Sequence, residues 1–174
     1  MKNLVNFFLV FFLTITNITH LHSQVEATSP ASAQVESALT LMREAGTEID
    51  FGILSATTPG DIILDPRGSS SNENTGTDTG VARFNLGGAD IPVTVTYDMS
   101  VVLTSGAATM IMTPIVVGGT TLGIQGTALE IQNANHITPE SGEFYFWIGG
   151  IIPKLTNQIL GEYLGEFKIN VEYQ

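Results

Sequence analysis

The chain has 174 residues, with 17 acidic and 6 basic side chains, 3 histidines and no cysteine, for a formal charge of −11. That length is enough for one ordinary domain with a real core. The acid excess argues against nucleic acid and anionic membranes as partners, and the missing cysteines exclude disulfides, thiolate nucleophiles and thiolate metal ligands.

The first residues read as a secretory signal. Lys2 supplies a short positive region, and Leu4 to Ile15 is almost wholly apolar, with Phe7, Phe8, Phe11 and Phe12. A polar stretch follows, and cleavage is expected after Ser23, with Ala31-Ser32-Ala33 as the rival small-x-small site. The apolar run is shorter than the roughly 20 residues of a bilayer span, which favours a signal peptide over 1–23 rather than an anchor. The expectation is a protein secreted to the periplasm or the cell surface, with no membrane insertion after signal removal. Loss of Lys2 leaves five basic residues against all 17 acidic ones.

Residues 24–32 read as a flexible N-terminal arm, and 33–174 as a single domain. Ala31, Ala33, Val35, Ser37, Leu39 and Leu41 share one parity, as in a strand, although Ser37 to Arg43 also fits a helical turn. Glu48 to Leu54 is the next strand candidate, with Ile49, Phe51 and Ile53 on one face. Gly60 to Leu64 follows and stops at Asp65-Pro66-Arg67-Gly68, a strong turn signal. Ser69 to Gly80 is rich in Gly, Asn and Ser and reads as a loop.

Ala82 to Leu86 and Pro92 to Asp98 are strands separated by Gly87-Gly88. Ser100 to Thr104 is a short strand, and Met110 to Val117 another, ended by Gly118-Gly119. Thr127 to Gln132 is a further short candidate. Glu143 to Ile151 is apolar on both parities, which fits a central buried strand; Tyr145 and Trp147 facing outward would instead form an aromatic binding face. The last stretch alternates Phe167, Ile169, Val171 and Tyr173 with Glu166, Lys168, Asn170 and Glu172. It predicts a strand with one apolar face, lying near a sheet edge where another chain can pair with it. The whole is an all-β pattern of roughly eight to ten short strands, a β-sandwich. Phe51, Phe84, Phe167 and Tyr173 are the expected core aromatics, each contributing about 1.5–3 kcal/mol on burial. Gly52, Gly161 and Gly165 are expected where the backbone bends or a strand approaches closely.

Few residues suggest chemistry. His136, the only histidine after the signal, sits in the turn-like Asn135-His136-Ile137-Thr138-Pro139. One histidine does not build a His-rich metal site, and the chain has no Gly-x-Ser-x-Gly elbow. Asp65, Glu73 and Asp78 are the best calcium candidates, but their spacing matches no EF-hand loop, and a solvated hairpin loop explains them better. Glu140, Glu143, Glu162 and Glu166 would have to flank a cleft to act as a glycosidase pair; surface solubility explains them better. No cofactor is expected, and the reading is of a non-enzyme.

Three stretches resemble domain-of-unknown-function family 4402, found in secreted bacterial proteins. They are Ile49-Asp50-Phe51-Gly52 with Gly60 to Pro66; Ala82-Arg83-Phe84-Asn85-Leu86-Gly87-Gly88 with the Val/Thr strand after it; and Gly161-Glu162-Tyr163-Leu164-Gly165-Glu166-Phe167 running on to Tyr173. Gly149 to Leu155 departs from the family's usual pattern. The resemblance implies an immunoglobulin-like sandwich similar to fimbrial subunits and adhesins, with no established activity. The closing strand with its penultimate Tyr also looks like the end of chaperone–usher pilins, in which an N-terminal arm of one subunit completes the sheet of the next. On that likeness Phe167, Ile169, Val171 and Tyr173 form the assembly strand, and Ala31, Ala33 and Val35 the donor arm.

Two roles are therefore expected. The first is an exported structural or adhesive surface subunit, self-associating or joining other subunits by strand addition. The alternative is a self-contained module recognising a glycan or a protein through the 69–80 loop and exposed aromatics near Trp147.

Overall fold

The computed structural model describes residues 38–174. The expected signal peptide and arm, with Ala31, Ala33 and Val35, lie outside the described residues. Short strands punctuated by Gly and Pro do build an all-β sandwich, with ten strands in two antiparallel sheets.

The larger sheet is organised on its most apolar segment, β9 (Glu143–Ile152). On one side β9 pairs with β3 (Ala82–Gly87), with Phe84 opposite Phe146, and further along with β2 (Ile62–Leu64). On its other side lies the second half of β6 (Ala108–Gly119), with Val116 opposite Ile148. The first half of β6 pairs instead with β5 (Val101–Ser105), and its far end with β7 (Leu129–Glu130). β1 (Thr40–Arg43) borders β3. The smaller sheet has β4 (Val93–Tyr97) between β8 (Asn135–Ile137) and β10 (Ile169–Tyr173). β10 has no strand on its other side among the described residues, so the alternating closing segment is an edge strand.

The two parities of β9 explain its composition. Phe144, Phe146 and Ile148 face the space between the sheets, where they meet Val93 and Val95 of β4 and Ile137 of β8. Tyr145 and Trp147 point the other way, into a small cluster with Val117 and Ala128. With Trp147 only 1% exposed, the central buried strand is the correct reading and the exposed aromatic face is not: the segment after β6 folds back and covers it. A second core joins Phe51, Ile62, Leu64, Val101, Met112 and Ile152. Phe51 is buried as expected, while Phe84, Phe167 and Tyr173 pack against core residues and stay half-exposed.

Several local expectations are corrected. Glu48 to Leu54 is not a strand: only Asp50 pairs, with Gly80, and Gly52 turns the chain away at φ +70. Gly118-Gly119 are the last two residues of β6, which ends there, rather than lying beyond it. A Cβ on Gly118 would come 2.4 Å from the Phe144 ring, so glycine makes room for an aromatic there. Of Thr127 to Gln132 only Leu129–Glu130 is strand, because Ala128 and Ile131 turn inward to different clusters. His136 is in β8, paired with Thr94, rather than in a turn. The closing strand begins at Ile169, with Phe167 ahead of it. The 69–80 loop contains a 3-10 turn at Ser69–Ser71 and is tied down by the pairing of Glu73 with Ile63.

Candidate functional site

Among the described residues the sandwich is not closed along one side. Where β1 ends, the chain runs through 48–56 without forming a strand, and on the opposite flank 158–168 runs in extended or irregular form up to β10. Between them lies a groove of about 1200 Å³. Its floor is interior: Phe84, Val101, Leu103, Met110, Met112 and Ile152 line it, and most of these belong to or pack on the second core. Val101, Met112 and Ile152 at its base are themselves buried, while Phe84, Leu103 and Met110 are half-exposed, so the groove lies directly over the core. Its margins are apolar too, with Ile53 90% and Leu160 84% exposed and Ile159 and Leu164 largely so.

Specific contacts hold each wall in place. On the first wall, Asp50 Oδ1 accepts from the Gly52 N–H at 2.8 Å, and the Gly76 N–H donates to the Phe51 carbonyl at 2.9 Å. A Cβ on Gly52 would lie 2.3 Å from the Thr77 carbonyl oxygen, so the positive φ and the close crossing both demand glycine. On the second wall, Leu164 exchanges backbone hydrogen bonds with Thr104 at 2.8 and 3.0 Å. Cβ atoms on Gly161 and Gly165 would come 2.3 Å from Ser105 Oγ and 2.6 Å from the Val102 carbonyl. All three glycines singled out in the sequence thus set the groove walls. The walls meet where the Gln158 N–H donates to the Ala56 carbonyl at 3.1 Å, beside the buried Thr58, whose hydroxyl accepts from the Leu155 N–H.

The rim is acidic. Glu48, Asp50, Asp78, Glu162 and Glu166 line the groove against Arg43 and Lys168, and the Arg43 guanidinium donates to the Thr47 carbonyl. The rim carboxylates sit at the surface, so their field is felt by an incoming chain and is screened by salt.

The other residues singled out in the sequence do not converge. Asp65 accepts from the Arg67 N–H at 2.8 Å and lies 3.7 Å from its guanidinium, Glu73 pairs its backbone with Ile63, and Asp78 is on the groove rim. Among the described residues no group of three or more His, Asp or Glu is placed to hold a metal ion. His136 is exposed and touches Thr94 and Gln174. Glu140 and Glu143 pair through their backbones, and Glu143 accepts from the Tyr145 hydroxyl at 2.8 Å, which holds that phenol's pKa above its ordinary value. Glu162 and Glu166 are apart from that pair, on the groove. Of the proposed assembly strand, only Phe167 reaches the groove; Ile169, Val171 and Tyr173 pack on the first core.

The floor residues Met110, Met112 and Leu155 did not stand out in the sequence. A signal was present in Ile159-Leu160, apolar residues in a stretch with no strand pattern, which the structure leaves exposed.

Fold and groove together define a β-sandwich domain with an open, apolar side. A family model described as a domain of unknown function, DUF4402, matches residues 39–173, and the chain belongs to that family. No curated protein shows a significant match to it.

Proposed function

We propose that this protein is an exported, non-enzymatic structural or adhesive surface subunit, and that its open side accepts an extended segment of another chain by strand addition. The observation that carries this reading is the groove. A folded domain gains by burying apolar surface at about 25 cal/mol per Å², yet here Phe84, Leu103 and Met110 stay half-exposed in the groove and its margins are bare Ile and Leu. Contiguous apolar surface of that kind marks a place where something else docks. An extended segment suits it, since alternate side chains would enter the groove while its backbone met the walls. The apolar signal-like run Leu4 to Ile15 supports export.

The test is site-specific photo-cross-linking in the producing cell. A benzophenone side chain at Leu160, on the groove, is expected to give adducts with a second polypeptide in exported protein. The same group at Leu129, which is 76% exposed outside the groove lining, is expected to give none. Adducts at Leu129 alone, or a protein retained in the cytosol, would overturn the proposal.

A further inference from the structure

The groove's charge and size say which kind of segment it takes. Five carboxylates line it against two cations. Residues 24–37, the segment of this chain that would follow the signal, contain Glu26 and Glu36 and no Lys, Arg or His. Like charges would meet if that arm entered the groove of a second copy. The arm is also small: its alternating residues are Ala31, Ala33 and Val35. The groove is about 1200 Å³, above the roughly 300–1,000 Å³ of ordinary small-molecule pockets. Two methyls and an isopropyl group leave most of such a space without contacts, and an unfilled void forfeits its dispersion energy.

We infer that the groove takes an extended segment of a different polypeptide, one that alternates large apolar side chains and carries Lys or Arg at its flanks, and not this chain's own residues 24–37. This rests on the strand-addition reading and adds the identity of the donor. Large side chains would meet Met110, Leu103 and Phe84 on the floor, and flanking cations would meet Glu162 and Glu166 on one wall and Glu48 and Asp78 on the other. Opposite charge at the rim also speeds encounter and rejects acidic competitors.

Three fluorescein-labelled peptides titrated into residues 24–174 by anisotropy test it. One alternates Phe, Val and Thr with lysines at both ends, the second has glutamates in place of those lysines, and the third is residues 24–37. The lysine peptide is expected to bind at least about tenfold more tightly than the other two at low salt, with the advantage over the glutamate peptide shrinking as salt screens the rim. Glu162→Lys with Glu166→Lys is expected to reverse the preference between the first two. Equal or tighter binding of the 24–37 peptide would overturn this inference and leave strand addition standing. Saturable binding of none of the peptides would overturn both. Decanoate binding without any peptide would mark an acyl-chain groove and also end both readings.

Discussion

The Ala89 backbone N–H donates to the Tyr173 hydroxyl at 2.8 Å, fixing the end of β10 to the turn between β3 and β4. Gly88 completes the contact, since a Cβ there would lie 2.6 Å from the same oxygen. The edge strand is thus anchored at its far end, while Phe167, two residues ahead of its start, borders the groove. Tyr173→Phe is expected to cost about 1 kcal/mol, the net worth of one hydrogen bond, and Tyr173→Ala about 2–3 kcal/mol once the packing of the half-buried ring is lost too. Urea midpoints of the two variants check this; equal midpoints would show that the hydroxyl contact dominates and the ring adds nothing.

Gly52→Ala is expected to destabilise by more than about 1–2 kcal/mol, the usual penalty of a left-handed backbone for an L-residue. The added methyl would also strike the Thr77 carbonyl. Gly46, also at positive φ but with nothing within 4 Å of a Cβ, is the control. Chemical denaturation of both alanine variants should show Gly52→Ala as clearly the worse.

Trp147 is the only tryptophan and is buried. Native fluorescence should therefore be blue-shifted and move to the solvent-exposed range on unfolding. Trp147→Ala is expected to cost about 3–5 kcal/mol. Native emission already at the solvent-exposed position would contradict the covering of the outer sheet face.

Alkaline pH should weaken the fold. Burial raises the Tyr97 pKa, Glu130 adds repulsion of the phenolate, and a hydrogen bond with Asn133 offsets part of this. A hydrogen bond to Glu143 is the largest cause of the upward shift at Tyr145. Tyrosine in an unfolded chain ionises near pH 10. Above that pH the folded state retains more protons than the unfolded one, so stability falls as pH rises. The contribution is whole below about pH 10 and is lost as pH climbs through the folded-state values. Urea midpoints measured upward from neutral pH are expected to drop above about pH 10, less steeply in Tyr97→Phe; a midpoint that rose there would contradict the sign.

The fold was legible because strand alternation and turn residues are local signals. β3, β4, β6, β9 and the closing strand stand within a few residues of their expected limits, since each presents a face whose partner surface selects the same parity. Phe51-Gly52-Ile53 misled because alternation continues across a residue whose φ breaks it. Gly118 marks the end of β6 to within a residue, but its second role, room for the Phe144 ring from a strand distant in sequence, carries no local signal. The groove was not legible for the same reason. It is made by Leu103, Met112, Ile152 and Phe167, on separate elements, and by the lack of a strand at 48–56, which no alternation pattern declares.

Methionine methyl groups give the most direct test of the open groove. Met110 and Met112 line it, whereas Met42 and Met99 are 68% and 63% exposed and do not. With ¹³C-methyl methionine in residues 24–174, the lysine-flanked alternating peptide should shift the Met110 and Met112 signals and leave Met42 and Met99 in place. Unmoved Met110 and Met112 signals at saturating peptide, or shifts confined to Met42 and Met99, would contradict an acceptor groove in this sandwich.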